Sequence, residues 1–206
     1  MPSPRGTRIS PWRFRVKLSS LSILAPDPAK FREDIGAKSV SFFCLQRPVR
    51  VDQTLLAEMK QVSAERGGRN VRICLHSAPE DDHHDMVVLE HRGKYYRPHK
   101  HAEKGECFHV MDGELGLLAF DEAGAIIDAV LLRKGDIYRI AVGMHHAVMP
   151  LSDPVIYHES KPGPFLGEGD SIYAEWAPAE DDSDAIQAYT SMALAQLGVG
   201  AEKPSG

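Results

Sequence analysis

His99, His101 and Glu106 are residues of the types, and at the spacing, that a metal site uses. In an extended strand, residues i and i+2 point to the same face, so His99 and His101 project together. Glu106 can return from the paired strand once the chain has turned near Lys104-Gly105. Imidazole suits Zn, Cu, Fe and Ni, and a carboxylate widens the choice towards Mn. His146, further along, offers a fourth group of the same chemistry. Four such side chains in an apolar interior are costly without a metal or full hydrogen bonding among themselves. A divalent ion so held keeps one or two positions for water or substrate, as catalytic sites do. His145 competes with His146 as the fourth ligand, but neighbours on a strand face opposite ways, so only one can point inward.

Strand parity selects further residues around that set. Arg97 shares the parity of His99 and His101, and Arg72 and His76 share one face of an earlier strand. These three are candidates for substrate contact, since arginine holds anionic groups well. Tyr138, Tyr157 and Glu159 alternate towards the core and are candidates for moving a proton in catalysis. The plainer reading is that a Tyr fills a core and an Arg stays at the surface. His109 and Cys107 are out of phase with Glu106, which puts His109 on the outer face and makes Cys107 a small filler. His83-His84, inside the run Glu80 to Asp85, reads as part of a solvated acidic loop. Lys161-Pro162-Gly163-Pro164 reads as a rigid strand exit.

The elements that must position these groups are mostly short strands. From Val71 to Ile156, apolar runs are divided by turn signals, the pattern of an all-β sandwich or barrel. The spacing predicts strands over 71–76, 86–91, 95–101, 105–111, 114–120, 125–132, 136–140, 145–149 and 154–159. Met111-Asp112-Gly113-Glu114 and Asp121-Glu122-Ala123-Gly124 are the clearest hairpin turns. Val40 to Leu45 is a further apolar run of strand type, able to add to a neighbouring chain's sheet edge. Asp52 begins a helix as N-cap, Leu55, Leu56, Met59 and Val62 lie on one face, and Gly67-Gly68 ends it. A second helix runs over 182–197, with acidic residues at its positive end. Residues 1–38 read as a poorly ordered extension with Pro2, Pro4, Pro11, Pro26 and Pro28 as breakers.

Composition narrows the function classes. At 206 residues the chain suits one domain with appendages. A net charge of −5 argues against general nucleic-acid binding, which needs a basic footprint. Cys44, Cys74 and Cys107 form no C-x-x-C pattern, so neither a disulfide framework nor a cysteine zinc site is expected, and a reduced cytoplasmic setting follows. No apolar run has the roughly eighteen residues of a membrane span. The first twenty residues carry Arg5, Arg8, Arg13, Arg15 and Lys17 without an acid, but lack a cleavage-type targeting pattern.

The run Gly93 to Gly113 resembles the first cupin motif, G-x5-H-x-H-x4-E-x6-G, at Gly93, His99, His101, Glu106 and Gly113. Gly135 to Met149 resembles the second motif through Gly135, Gly143 and His146. Ala141 stands where Pro is usual and Pro150 where Asn is usual, and neither is a ligand position. The register of this motif selects His146 rather than His145. Arg72 to His76, Leu117 to Gly124, His158 to Phe165 and Tyr173 to Glu180 are similar to the WbuC-type cupin-fold metalloproteins. The likeness covers roughly residues 40 to 180.

The resemblance implies a cupin jelly-roll (double-stranded β-helix) barrel with flanking N- and C-terminal helices. Its domain spans 39–180, with a barrel core near 70–165 and a C-terminal helix and tail over 181–206. It implies one divalent ion (Fe2+, Mn2+, Ni2+ or Zn2+) on His99, His101, Glu106 and His146, and a homodimer. It also implies a place in O-antigen or other surface-polysaccharide metabolism. Sugar or nucleotide-sugar isomerisation or epimerisation fits such a site. An Fe(II)-dependent dioxygenase and a non-catalytic, metal-anchored metabolite-binding module are the alternatives.

Overall fold

The structure is a computed structural model that describes residues 21–199. The basic N-terminal cluster lies outside the described residues. Among the described residues, twelve strands form two sheets, with two α-helices against their outer faces.

Strands β1 (Phe31–Glu33), β2 (Val40–Cys44), β3 (Val71–Cys74), β4 (His83–Glu90), β11 (Val155–Pro162), β6 (Glu106–Asp112) and β9 (Ile137–Ile140) make the larger sheet, neighbours in that order. The smaller sheet runs β12 (Ile172–Tyr173), β5 (His99–Lys100), β10 (His145–Pro150), β7 (Glu114–Phe120) and β8 (Ile126–Arg133). All pairings are antiparallel except β2 with β3, which are parallel and joined by helix α1 (Gln53–Glu65). A parallel pair needs a crossover, and α1 provides it. The result is a jelly-roll (double-stranded β-helix) barrel with flanking helices, the architecture expected.

Alternation along each strand builds three apolar layers. In β7, Leu115, Leu117 and Ala119 face the space between the sheets, where they meet Phe108, Val110, Ile140 and Tyr157. Leu118 and Phe120 face outwards against helix α2 (Ser183–Gln196), packed with Tyr189, Ala193 and Leu197. Gly116 shares that outer face, and a Cβ there would sit 2.5 Å from a Leu197 methyl, so a larger residue would require that side chain to shift. On the opposite side α1 lays Leu55, Leu56, Met59 and Val62 on Phe42, Ile73, Leu89 and Ile156. Each such side chain taken fully from water stabilises by about 1.5–3 kcal/mol. The Asp52 side chain accepts from the Leu55 amide at 3.2 Å, and Gly67 and Gly68 follow the helix with φ of 73° and 74°.

Four expectations need correcting. The segment read as a loose extension over 1–38 contains β1, with Leu21, Ile23 and Phe31 buried; its prolines break helices but do not prevent a short edge strand. β2 is an interior strand between β1 and β3 and all of its side chains are buried, so it offers no free edge to a second chain. The strand expected over 95–101 is regular only at His99–Lys100. Lastly, β5 and β6 lie in different sheets, so Glu106 does not return on a hairpin partner. The chain between them turns the corner of the barrel instead.

Candidate metal centre

The corner at 101–105 is what brings the ligand groups face to face. His99 and His146 are directly paired across β5 and β10, with ring centroids 4.6 Å apart. His101 stands just past the end of β5, its ring 5.2 Å from that of His99 and 5.9 Å from that of His146. Ligand nitrogens of these three histidines all lie within 4.8 Å of one another. Glu106 approaches from the opposite sheet, with Oε2 2.9 Å from His146 Nε2 and Oε1 2.8 Å from His101 Nε2. His101 and His146 are 2% and 1% exposed.

The main chain fixes the tautomers. His99 Nδ1 lies 3.2 Å from the Arg97 carbonyl and His146 Nδ1 3.1 Å from that of Met144, while His101 Nδ1 contacts the carbonyl of Asp170. A carbonyl oxygen can only accept, so each Nδ1 carries the proton and each Nε2 keeps its lone pair unless a second proton is added. Two of those Nε2 atoms then face carboxylate oxygens, which are also acceptors. A cation resolves the conflict, as either a proton on the ring or a metal shared by the groups. His101 Nε2 at 2.8 Å and His146 Nε2 at 2.9 Å converge on the one Glu106 carboxylate, beside His99, an arrangement that a metal can share. Three imidazoles and a carboxylate, three of them oriented by backbone carbonyls, fit a divalent metal.

Several polar groups support the cluster. Lys161 Nζ donates to Glu106 Oε1 at 2.7 Å and reaches Glu159 Oε1 at 3.1 Å. Lys104 pairs with Asp170, which lies at the end of a short 3₁₀ turn over Gly167–Asp170. Thus the residue whose carbonyl orients His101 is itself anchored. Glu90 accepts from Tyr96 at 2.6 Å and from Tyr157 at 3.0 Å. A cavity of about 180 Å³ is lined by His99, Glu106, His146, Tyr157, Glu159 and Lys161. A neighbouring cavity of about 290 Å³ shares Tyr157, Glu159 and Lys161 and adds Arg72 and His76.

The structure therefore brings Tyr157, Glu159, Arg72 and His76 to the cluster or its adjoining cavity, and places Arg97 at a third opening beside His99. Arg97 spans the ring of Tyr173 and donates to the Ala174 carbonyl at 3.2 Å. Tyr138 is not brought in: its hydroxyl donates to Asp128 at 2.7 Å, near the surface. The inward parity was right, since Tyr138 packs partly against the core between the sheets, but its hydroxyl is taken by Asp128 on β8 and not by the ligand cluster. His145 points away from His146 towards Trp176, as parity requires, yet is buried there rather than open to solvent. His109 and Cys107 alternate with the buried Glu106 and Phe108, as parity requires. His84 is not in a solvated loop; it opens β4, is buried, and stacks on His76 at 4.1 Å.

Sequence reasoning missed Lys161, Glu90, Tyr96, Lys104 and Asp170. The signal for Lys161 was present, since it continues the inward series Tyr157, Glu159, Lys161. Its reading as a strand exit hid this, because β11 runs on to Pro162. Asp170 sits in an irregular segment and has no periodic signal.

Electrostatics separates the histidines. Burial, with neighbouring His146, pulls His99 down to about 4, so it is neutral at physiological pH. Burial also acts to lower His101, but the adjoining Glu106 outweighs it and the net shift is upward from 6.5. Glu106 is pushed up by burial and pulled further down by His101, His146 and Lys161, leaving it ionised. A metal must therefore displace a proton from His101. Affinity should fall by about tenfold per pH unit below the raised His101 value, read by chelator competition at pH 6, 7 and 8. The sign for metal-free stability is the reverse: the His101 contribution is full below about 6.5 and is lost as pH rises through the folded value. A pH-independent metal affinity would exclude a protonated ligand.

Comparison with known proteins supports no narrower assignment than the fold. Residues 51–132 match the model of a family described as a domain of unknown function, DUF6016, which is less than half of the chain. No curated protein matches. Among solved structures, oxalate decarboxylase of Bacillus subtilis is 14% identical over 50% of this chain and 27% of its own, with a TM-score of 0.42. The capsular polysaccharide assembling protein of Staphylococcus aureus is 19% identical over 46% of this chain and 27% of its own, at 0.41. An uncharacterised Klebsiella pneumoniae protein with a double-stranded β-helix domain is 23% identical over 53% of this chain and 87% of its own, at 0.39. The chain thus spans about a quarter of the first two. No helix among the described residues is long and apolar enough to cross a membrane.

Proposed function

We propose that this chain is a divalent-metal cupin of the WbuC type that isomerises or epimerises a small sugar or nucleotide-sugar in surface-polysaccharide metabolism. One observation carries the metal reading: backbone carbonyls hold the Nδ1 protons of His99, His101 and His146, so their Nε2 atoms are the ones turned to a shared point beside Glu106, where a metal would take the place of the His101 proton. The substrate class follows from the sequence resemblance and from the polar cavity walls. His99, His101, Glu106 and His146 would hold the metal, which would supply Lewis-acid polarisation of a substrate carbonyl or hydroxyl. The side chains do the rest. Glu159, at the cavity wall, takes a proton from the carbon next to that group. Tyr157, whose hydroxyl donates to Glu90 at 3.0 Å, returns a proton to the other side. Arg72 and His76 hold the far end of the substrate in the adjoining cavity.

Two measurements test this. Protein purified without oxygen should carry one divalent ion per chain, and free metal at a hundred times its Kd should stabilise the fold by about 2.7 kcal/mol. Incubation with nucleotide-sugars in D₂O should place deuterium on a substrate carbon. Oxygen uptake in the presence of Fe(II) would replace this reading with a dioxygenase. Ligand-induced thermal stabilisation without any turnover would replace it with a binding module.

A further inference from the structure

Among the described residues, Lys161 is the lysine or arginine whose charged group contacts a residue of the ligand cluster, Glu106. Its Nζ lies 2.7 Å from Glu106 Oε1, the same oxygen that stands 2.8 Å from His101 Nε2. The side chain is 14% exposed and is placed by the sheet: β11 lies between β4 and β6, and Lys161 pairs with His84 on β4. From that position it also reaches Glu159 Oε1 at 3.1 Å and stands 4.0 Å from Asp170 Oδ2. A rigid strand thus delivers an ammonium group to the carboxylate that would serve the metal.

We propose that Lys161 sets the strength of metal binding by sharing Glu106 with the ion, so that Glu106 is a divided rather than a dedicated ligand. This rests on the metal reading above. A dication on His99, His101 and His146 and the Lys161 ammonium draw on one carboxylate and repel each other. Both are shielded from water, where such repulsion is poorly screened. Lys161 is therefore a positioning residue: it turns Glu106 towards the larger sheet and lowers the gain from placing a metal beside it. The three histidines hold the ion, and the carboxylate is left partly available to the lysine.

The test is metal affinity, measured with Mn2+ and Zn2+ by isothermal titration on wild type, Lys161→Met, Lys161→Gln and Lys161→Arg. Removing the charge in Lys161→Met should tighten binding at least tenfold, because Glu106 then has only the metal as a cationic partner. Lys161→Gln should tighten it in the same direction and stands in if the Met variant does not fold. Lys161→Arg keeps the charge and should stay within about threefold of wild type. A residue that merely held the site in shape would weaken binding when lost, so tightening is a result a structural role cannot give. Unchanged or weaker binding in both neutral variants overturns the proposal while leaving the metal reading intact. Wild-type protein that takes up neither ion overturns both.

Discussion

His101→Ala should reduce bound metal from one ion per chain to less than about a tenth of that, a loss of at least a thousandfold in affinity. His146→Ala should do the same, and His145→Ala should leave stoichiometry unchanged. The physical difference lies in one step of strand parity. His146 faces His99 across the β5–β10 pair and meets Glu106, whereas His145 points to the other side of the same strand, against Trp176. His101 carries added weight because it is buried, its Nε2 lies 2.8 Å from Glu106 Oε1, and its ring is oriented by the Asp170 carbonyl. Metal analysis after dialysis, with circular dichroism to show that each variant is folded, decides the matter. Metal retained in His146→Ala and lost in His145→Ala would reverse the inward and outward faces of β10.

The second large effect concerns the wall behind the cluster. Phe108→Ala should cost about 3–5 kcal/mol of stability. Phe108 is 1% exposed and lies on β6 two residues beyond Glu106, on the same inward face. Its ring centroid is 6.0 Å from that of Tyr157 and 6.4 Å from that of His146, so it fills the space between a cavity wall and a ligand. Alanine would leave a void next to the imidazole and should also weaken metal binding through looser positioning. Phe108→Leu keeps most of the volume and should cost clearly less. Urea denaturation of the metal-free forms measures the difference, and equal costs for the two variants would mean that the ring does not support the centre.

The ligand groups were legible because strand parity is a strong local rule and motif spacing is local too. His99 and His101 share a face, and Glu106, Phe108 and Val110 alternate as the pattern demands. The same rule would have found Lys161, had β11 been carried past Ser160. What parity could not show is which strand lies beside which. Glu106 was expected on the hairpin partner of His99, yet the two belong to different sheets. Tyr138 shows the other limit: the backbone sets which side of the sheet a residue leaves from, but its hydroxyl bonds Asp128 on β8 of the other sheet, away from the ligands. Short elements such as β12, with two residues, exist only because β5 is there to pair with them. Glu90 and Tyr96 form a pair through tertiary packing, with no spacing that signals it.

The anchoring of His101 bears on the order in which the molecule is made. Its carbonyl partner, Asp170, is 69 residues further along the chain, Lys104 reaches the same residue across 66, and Lys161 reaches Glu106 across 55. Contacts closed over such long stretches cost chain entropy before they return any stabilisation. During synthesis, β5, β6 and β10 all emerge before the segment that orients His101. A nascent chain therefore holds His101 and Glu106 outside the tunnel while the carbonyl that orients His101 is still to come, although His99 already has its local partner in Arg97. Full metal capture should therefore wait until the turn at Gly167–Asp170 is made and the Asp170 carbonyl can orient His101.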